Sequence, residues 1–143
     1  MSGLVVLAEV AGRTVAIAAT DARSVVDLDD IVPVPRAPAC VAGIAALRSR
    51  ALTVIDTGLA MGGEPMVPGL ARAIVIEEGG HAYALAVDRV SDVVATIAPP
   101  TPVPGKMDGR WQRVALGVVE TAQGPAVLVD PAAILALVLD EAA

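Results

Sequence analysis

The chain has no phenylalanine, one tryptophan and one tyrosine among its 143 residues, so a core must be built from Val, Ala, Leu and Ile. Val and Ile favour strands, whereas Ala adds little to that preference. The lone Cys40 excludes an intramolecular disulfide and fits a reducing compartment; between Ala39 and Val41 it reads as a small buried hydrophobe, with nothing adjacent to lower its pKa. The lone His81 has no second metal ligand nearby and reads as a solvent-facing strand residue. Long apolar runs are missing too. Mean hydropathy is high at +0.69, yet Glu9, Arg13, Asp21, Asp88, Glu120 and Asp130 interrupt every candidate before the roughly 18–20 residues a membrane span needs. The start Met-Ser-Gly-Leu has neither a basic nor a long apolar segment, so a cytoplasmic chain without membrane insertion is expected. A formal net charge of −6 opposes a sequence-independent grip on nucleic acid.

Catalytic patterns are equally sparse. No nucleophile stands with a base, Gly62-Gly63 and Gly79-Gly80 are turn glycines, and neither a Gly-x-Gly-x-x-Gly nor a P-loop pattern occurs between a strand and a helix. We therefore expect no catalytic residue, no metal and no cofactor.

What is present is a series of short apolar runs separated by turns. Leu4–Val10 and Arg13–Ala19 flank Ala11-Gly12, a hairpin signal, and Ser24–Leu28 follows. A proline-punctuated arm, Ile31–Pro38, leads to Gly43–Leu47 and Ala51–Ile55, joined by the charged turn Arg48-Ser49-Arg50. Asp56 is placed to cap a short helix, and Met61–Gly69 holds too many breakers for regular structure.

The second half repeats this plan. Arg72–Ile76 and His81–Val87 flank Glu78-Gly79-Gly80; Val93-Val94 answers Val25-Val26; Ala98–Gly105 is a second proline-rich arm. Arg113–Glu120 and Ala126–Val129 form another hairpin ending in Asp130, which caps a helix Pro131–Leu139 with Pro131 in its first turn. Trp111 falls in the loop before that hairpin and reads as a packing cover. Each half holds too little surface to fold alone. The expected fold is therefore all-β with short helices: two five-stranded units, about 13–70 and 71–130, completed by terminal segments, each curled into a small barrel and packed on the other in one domain.

The segment Gly43-Ile44-Ala45-Ala46-Leu47-Arg48-Ser49, closed by Val54-Ile55-Asp56-Thr57, resembles the Gly-Val-x-Asn-Leu-Arg-Gly motif and closing strand of the CheW family of chemotaxis adaptors. Tyr83–Val94 is similar to that family's second-barrel hairpin, and the resemblance runs from Leu4 to Leu137. It implies two SH3-like barrels around a hydrophobic interface with a C-terminal helix. It also implies a non-enzymatic adaptor, monomeric when free, that couples chemoreceptor tips to the regulatory domain of a CheA-type histidine kinase at arrays on the inner face of the membrane. Carried over by position, Arg48 matches the family's receptor-contacting arginine, with Val25, Gly43, Ala73 and Ala84 on or near that surface. Ala46 stands for the family's Asn, Ser49 for its Gly and Ser24 for a common Glu, so Ser24, Ala46 and Arg50 are candidates for partner specificity. Those departures keep an adaptor or a competitor for the kinase in a divergent, non-flagellar chemosensory pathway open as an alternative. So, from another class, does a ligand carrier or enzyme using the crevice between the barrels.

Overall fold

The computed structural model describes residues 3–66, 71–103 and 105–140. Ten strands and three short helices alternate along it: β1 (Leu4–Val10), β2 (Arg13–Ala18), β3 (Ser24–Leu28), β4 (Val41–Leu47), β5 (Arg50–Asp56), α1 (Thr57–Ala60), β6 (Ala71–Glu78), β7 (His81–Val87), β8 (Arg89–Ala95), α2 (Gly109–Val114), β9 (Ala115–Thr121), β10 (Gly124–Val129) and α3 (Pro131–Asp140). The strands form two five-stranded sheets in the orders β8-β1-β2-β10-β9 and β3-β6-β7-β5-β4, curled into half-barrels.

Both sheets have the same pattern. Each contains one parallel pair, β2 with β10 and β5 with β7, amid antiparallel neighbours. Advancing each strand of one sheet by five in sequence order yields the other, which is the structural form of the internal repeat. Local devices repeat as well. Gly43 and Gly117 each follow a bulge in an edge strand, and each is followed by a residue bridged to a proline-rich arm, Ile44 to Val32 and Val118 to Thr101. Asp56 and Asp130 cap helices at matching places, their side-chain oxygens accepting from the Leu59 and Ala132 amides.

The sheets do not follow the two halves of the chain, which corrects the expected division into 13–70 and 71–130; residues 67–70, where the crossing was expected to end, lie outside the described residues. Hairpin β1–β2 joins β8, β9 and β10, while β6–β7 joins β3, β4 and β5. The reason lies in which sheet edges are free. Strand β7 has β6 and β5 on its two sides, so the chain past Asp88 pairs instead with the open edge of β1. Likewise β2 has β1 and β10 as neighbours, and β3 goes to the edge of β6.

Strand alternation then produces three cores. Val5, Leu7, Ala16, Val119 and Ala126 fill one half-barrel; Leu52, Val54, Ala73, Val75, Ala84 and their neighbours fill the other. The opposite faces, with Val6, Val15, Ile17, Ile55, Ile74 and Leu85, meet between the sheets and are covered by Trp111 and by Ile134, Leu135, Leu137 and Val138 of α3. The expected crevice is thus packed with aliphatic side chains. Trp111 serves as the packing cover foreseen, but on a helix rather than in a loop: the Asp108 carboxylate accepts from the Arg110 and Trp111 amides and starts α2, so the following strand begins at Ala115 instead of Arg113. A helix of six residues is too short to show an apolar period in sequence. No helix among the described residues is long and apolar enough to cross a membrane.

Candidate functional site

The turn between β4 and β5 has only two residues, Arg48 and Ser49, both left-handed, with φ of 51° and 67°. These angles are those of the hairpin turn whose twist suits antiparallel strands, a position normally filled by Asn-Gly. Arg50, expected in the turn, is the first residue of β5 and pairs with Leu47.

The side chains around the turn are tied to the neighbouring strands. The Arg50 guanidinium donates to Glu77 on β6 at 2.7 Å, and Arg23, just before β3, approaches the other carboxylate oxygen of Glu77 at 3.3 Å. The Arg23 amide also donates to the Val75 carbonyl at 2.7 Å. Glu77 therefore joins the start of β3, the end of β6 and the start of β5. Its carboxyl is held below the ordinary 4.5 chiefly by the Arg50 hydrogen bond, with Arg50 and Arg23 charges assisting. Further along the β3–β6 pair, Arg72 forms a two-pronged contact with Asp27 at 2.8 and 3.1 Å. That contact lowers the Asp27 carboxyl and raises the Arg72 guanidinium.

This clasp gathers five of the eight residues singled out from sequence. Arg48, Arg50 and Ala46 are exposed around the β4–β5 tip, Ser24 adjoins Arg23, and Val25 is 40% exposed beside it on the edge strand β3. Arg48 makes no ion pair among the described residues, in contrast to Arg50. The other three do not belong to a contact surface. Ala73 and Ala84 are fully buried in the half-barrel interior, because their strand parity points them away from solvent. Gly43 is buried under the arm, where an added Cβ would collide with the Val32 carbonyl oxygen; its role is to admit that arm. Glu77 and Arg23 were not singled out. Their importance depends on a pairing across three strands distant in sequence, and the only local signal was an acidic residue at a hairpin end.

Among the described residues no group of His, Cys, Asp and Glu is arranged to hold a metal ion. Asp56 and Asp130, the carboxylates at matching positions, are occupied by backbone amides. The surface instead offers edge strands, exposed aliphatics and, on the two-residue β4–β5 turn, Arg48 without an ion pair among the described residues. Those are the attributes of a paired half-barrel scaffold that meets other proteins. A family model for the CheW-like domain matches residues 4–138, and the chain belongs to that family. It is similar to the crystal structure of the scaffolding protein TtCheW from Thermoanaerobacter tengcongensis, with 25% identity and a TM-score of 0.74, covering 91% of this chain and 90% of that one. No curated protein matches it. CheW-family proteins are non-enzymatic scaffolds, and the chain is a chemotaxis adaptor of that kind.

Proposed function

We propose that this adaptor couples chemoreceptors to a CheA-type histidine kinase, and that the end of the sheet carrying Arg48 meets the receptor. The observation that carries this reading is the contrast between two neighbouring arginines. Arg50 is spent on Glu77, whereas Arg48 stands exposed on a two-residue turn with no ion pair among the described residues. An unpaired guanidinium held on a fixed backbone suits a polar or acidic helix surface, which it can meet with two parallel hydrogen bonds. Ala46 lies on the strand that enters the turn, and Ser24 and Val25 are joined to the same end of the sheet through the Arg23–Glu77–Arg50 contacts. In this role the protein works in the cytoplasm beside the receptor array, as a monomer when unbound.

The test is Arg48→Glu, with binding to a receptor cytoplasmic fragment measured beside thermal unfolding. Replacing one exposed charge on a turn leaves the fold intact, and reversing it should weaken receptor binding by about tenfold or more. Unchanged affinity with unchanged unfolding overturns the assignment of this surface.

The exposure of Ala46 on the strand before Arg48, and of Ser24 next to the clasped Arg23, favours a second reading, an adaptor of a divergent chemosensory pathway. Two of the positions that depart from the family pattern sit on the same proposed contact surface. Restoring the pattern with Ser24→Glu and Ala46→Asn should then shift preference toward a receptor of the standard swimming pathway. No change in preference would remove this alternative.

A further inference from the structure

At the far side of the other sheet lies a groove of about 500 Å³ between the β1–β2 turn, the second proline-rich arm and strands β9 and β10. Val103, Met107, Val118 and Val127 make its apolar wall, and Arg13 and Lys106 stand at it with no acidic residue among those that line it. This is a local inversion of charge in a chain of net charge −6. Lys106 has no ion pair among the described residues. Arg13 lies with its guanidinium 4.7 Å from the centroid of the Trp111 ring and likewise lacks a carboxylate partner there. Of the nearby acids, Asp108 caps α2, and Glu120, opposite Pro125 on the same face of the β9–β10 ladder, is not among the residues that line the groove.

The internal repeat supplies the control. In the other half-barrel the positions matching Arg13, Pro125 and Val127 are His81, Ala51 and Thr53, so the strand-borne cation and the aliphatic of the parallel pair occur on one sheet only, while Val34, Ile44 and Arg36 keep an aliphatic and basic arm on the other. A repeat shaped by packing alone has no need of this difference.

We infer that this groove docks a short segment of a partner protein that carries aliphatic side chains on one side and carboxylates on the other. The aliphatic groups fill the space along Val103, Met107, Val118 and Val127. The carboxylates meet Lys106 and draw the Arg13 guanidinium off the face of Trp111 into an ion pair, exchanging a cation–π contact for a charge-assisted hydrogen bond. The inference does not depend on Arg48 touching a receptor, since the two places lie on different sheets.

Trp111 is the single tryptophan of the chain and reports directly on Arg13. The full-length protein is titrated with acetyl-(Leu-Glu)3-amide and, separately, with acetyl-(Leu-Lys)3-amide while tryptophan emission is followed. The acidic peptide should give a saturable change and the basic one none. Lys106→Glu, an exposed substitution that leaves thermal unfolding unchanged, should weaken the acidic peptide by about tenfold or more. Arg13→Gln should abolish the emission change, while peptide anisotropy still detects weakened binding. Equal responses to the two peptides, an unaltered affinity in Lys106→Glu, or saturation by octanoate at lower concentration than the acidic peptide would each overturn the inference, the last by making the groove a small-carboxylate site.

Discussion

Single residues in this protein are constrained mostly by backbone, and the two matching glycines show how. Gly43 and Gly117 sit at φ of 153° and 157° under the carbonyls of the two arms. A Cβ on Gly117 would lie 2.6 Å from the Thr101 oxygen, closer than such atoms approach, and Gly43 is still more crowded by Val32. Neither neighbour is a side chain that could turn aside. Gly43→Ala and Gly117→Ala should each cost about 2–4 kcal/mol, read as a drop in urea midpoint, and by the repeat the two costs should be similar. A change within error at either position contradicts the arm contact there. The same glycine had a functional meaning by resemblance; its burial gives it a structural one. Arg48 illustrates the reverse. Its side chain is functional on the present reading, and its left-handed backbone is accepted at a position where glycine or asparagine strains less.

At the scale of strands and helices, the charged clasps join strands of one sheet across long sequence distances. Glu77 with Arg50 and Arg23, and Asp27 with Arg72, tie β3, β5 and β6. All are solvent-exposed, so they position strands more than they stabilise the fold. Their titration still leaves a mark. Both carboxyls are held below their ordinary values of 4.5 and 3.8, so their contribution is present above those values and is lost as pH falls through the lower, folded-state pKa. The unfolding temperature should therefore decline on acidification below about pH 4.5, and the decline should be shallower in Glu77→Gln combined with Asp27→Asn. An identical slope in both proteins would show that the clasps do not form in solution. Element boundaries were mostly legible: β1, β3 and β7 run as the alternation of apolar runs and turns predicts, and both aspartate caps stand where Asp56 and Asp130 suggested. Helix α2 was not legible, for it owes its existence to the Asp108 cap and to the place Trp111 finds between the sheets.

For the whole molecule, the decisive feature is that neither half of the chain owns a sheet. Residues before the crossing supply β1 and β2 to one half-barrel and β3, β4 and β5 to the other. A chain ending at residue 70 would hold β1–β2 without flanking β8 and β10, and β3 without the β6–β7 hairpin that links it to β5. Such a fragment should be unfolded by circular dichroism, and the intact protein should unfold in one transition, because the central core draws on both sheets and on α3. A folded fragment, or two separate transitions, would contradict that interdependence. Interlocking also suits an adaptor: two surfaces on different sheets stay at a fixed separation, since moving one sheet would open the core between them.

The amino-acid order alone determined the β character, the tenfold succession of short strands and their duplication. Each of these is written in local alternation, turn residues and caps. It also marked Arg48 as a hairpin-tip cation. Only the folded structure decided which strands share a sheet, because a swapped and an unswapped repeat have the same periodicity and differ solely in which edges remain open. The same limit applies to Ala73 and Ala84, whose burial follows from how their sheet curls, and to Glu77, whose partners converge only once β3 and β5 have been brought into one sheet with β6.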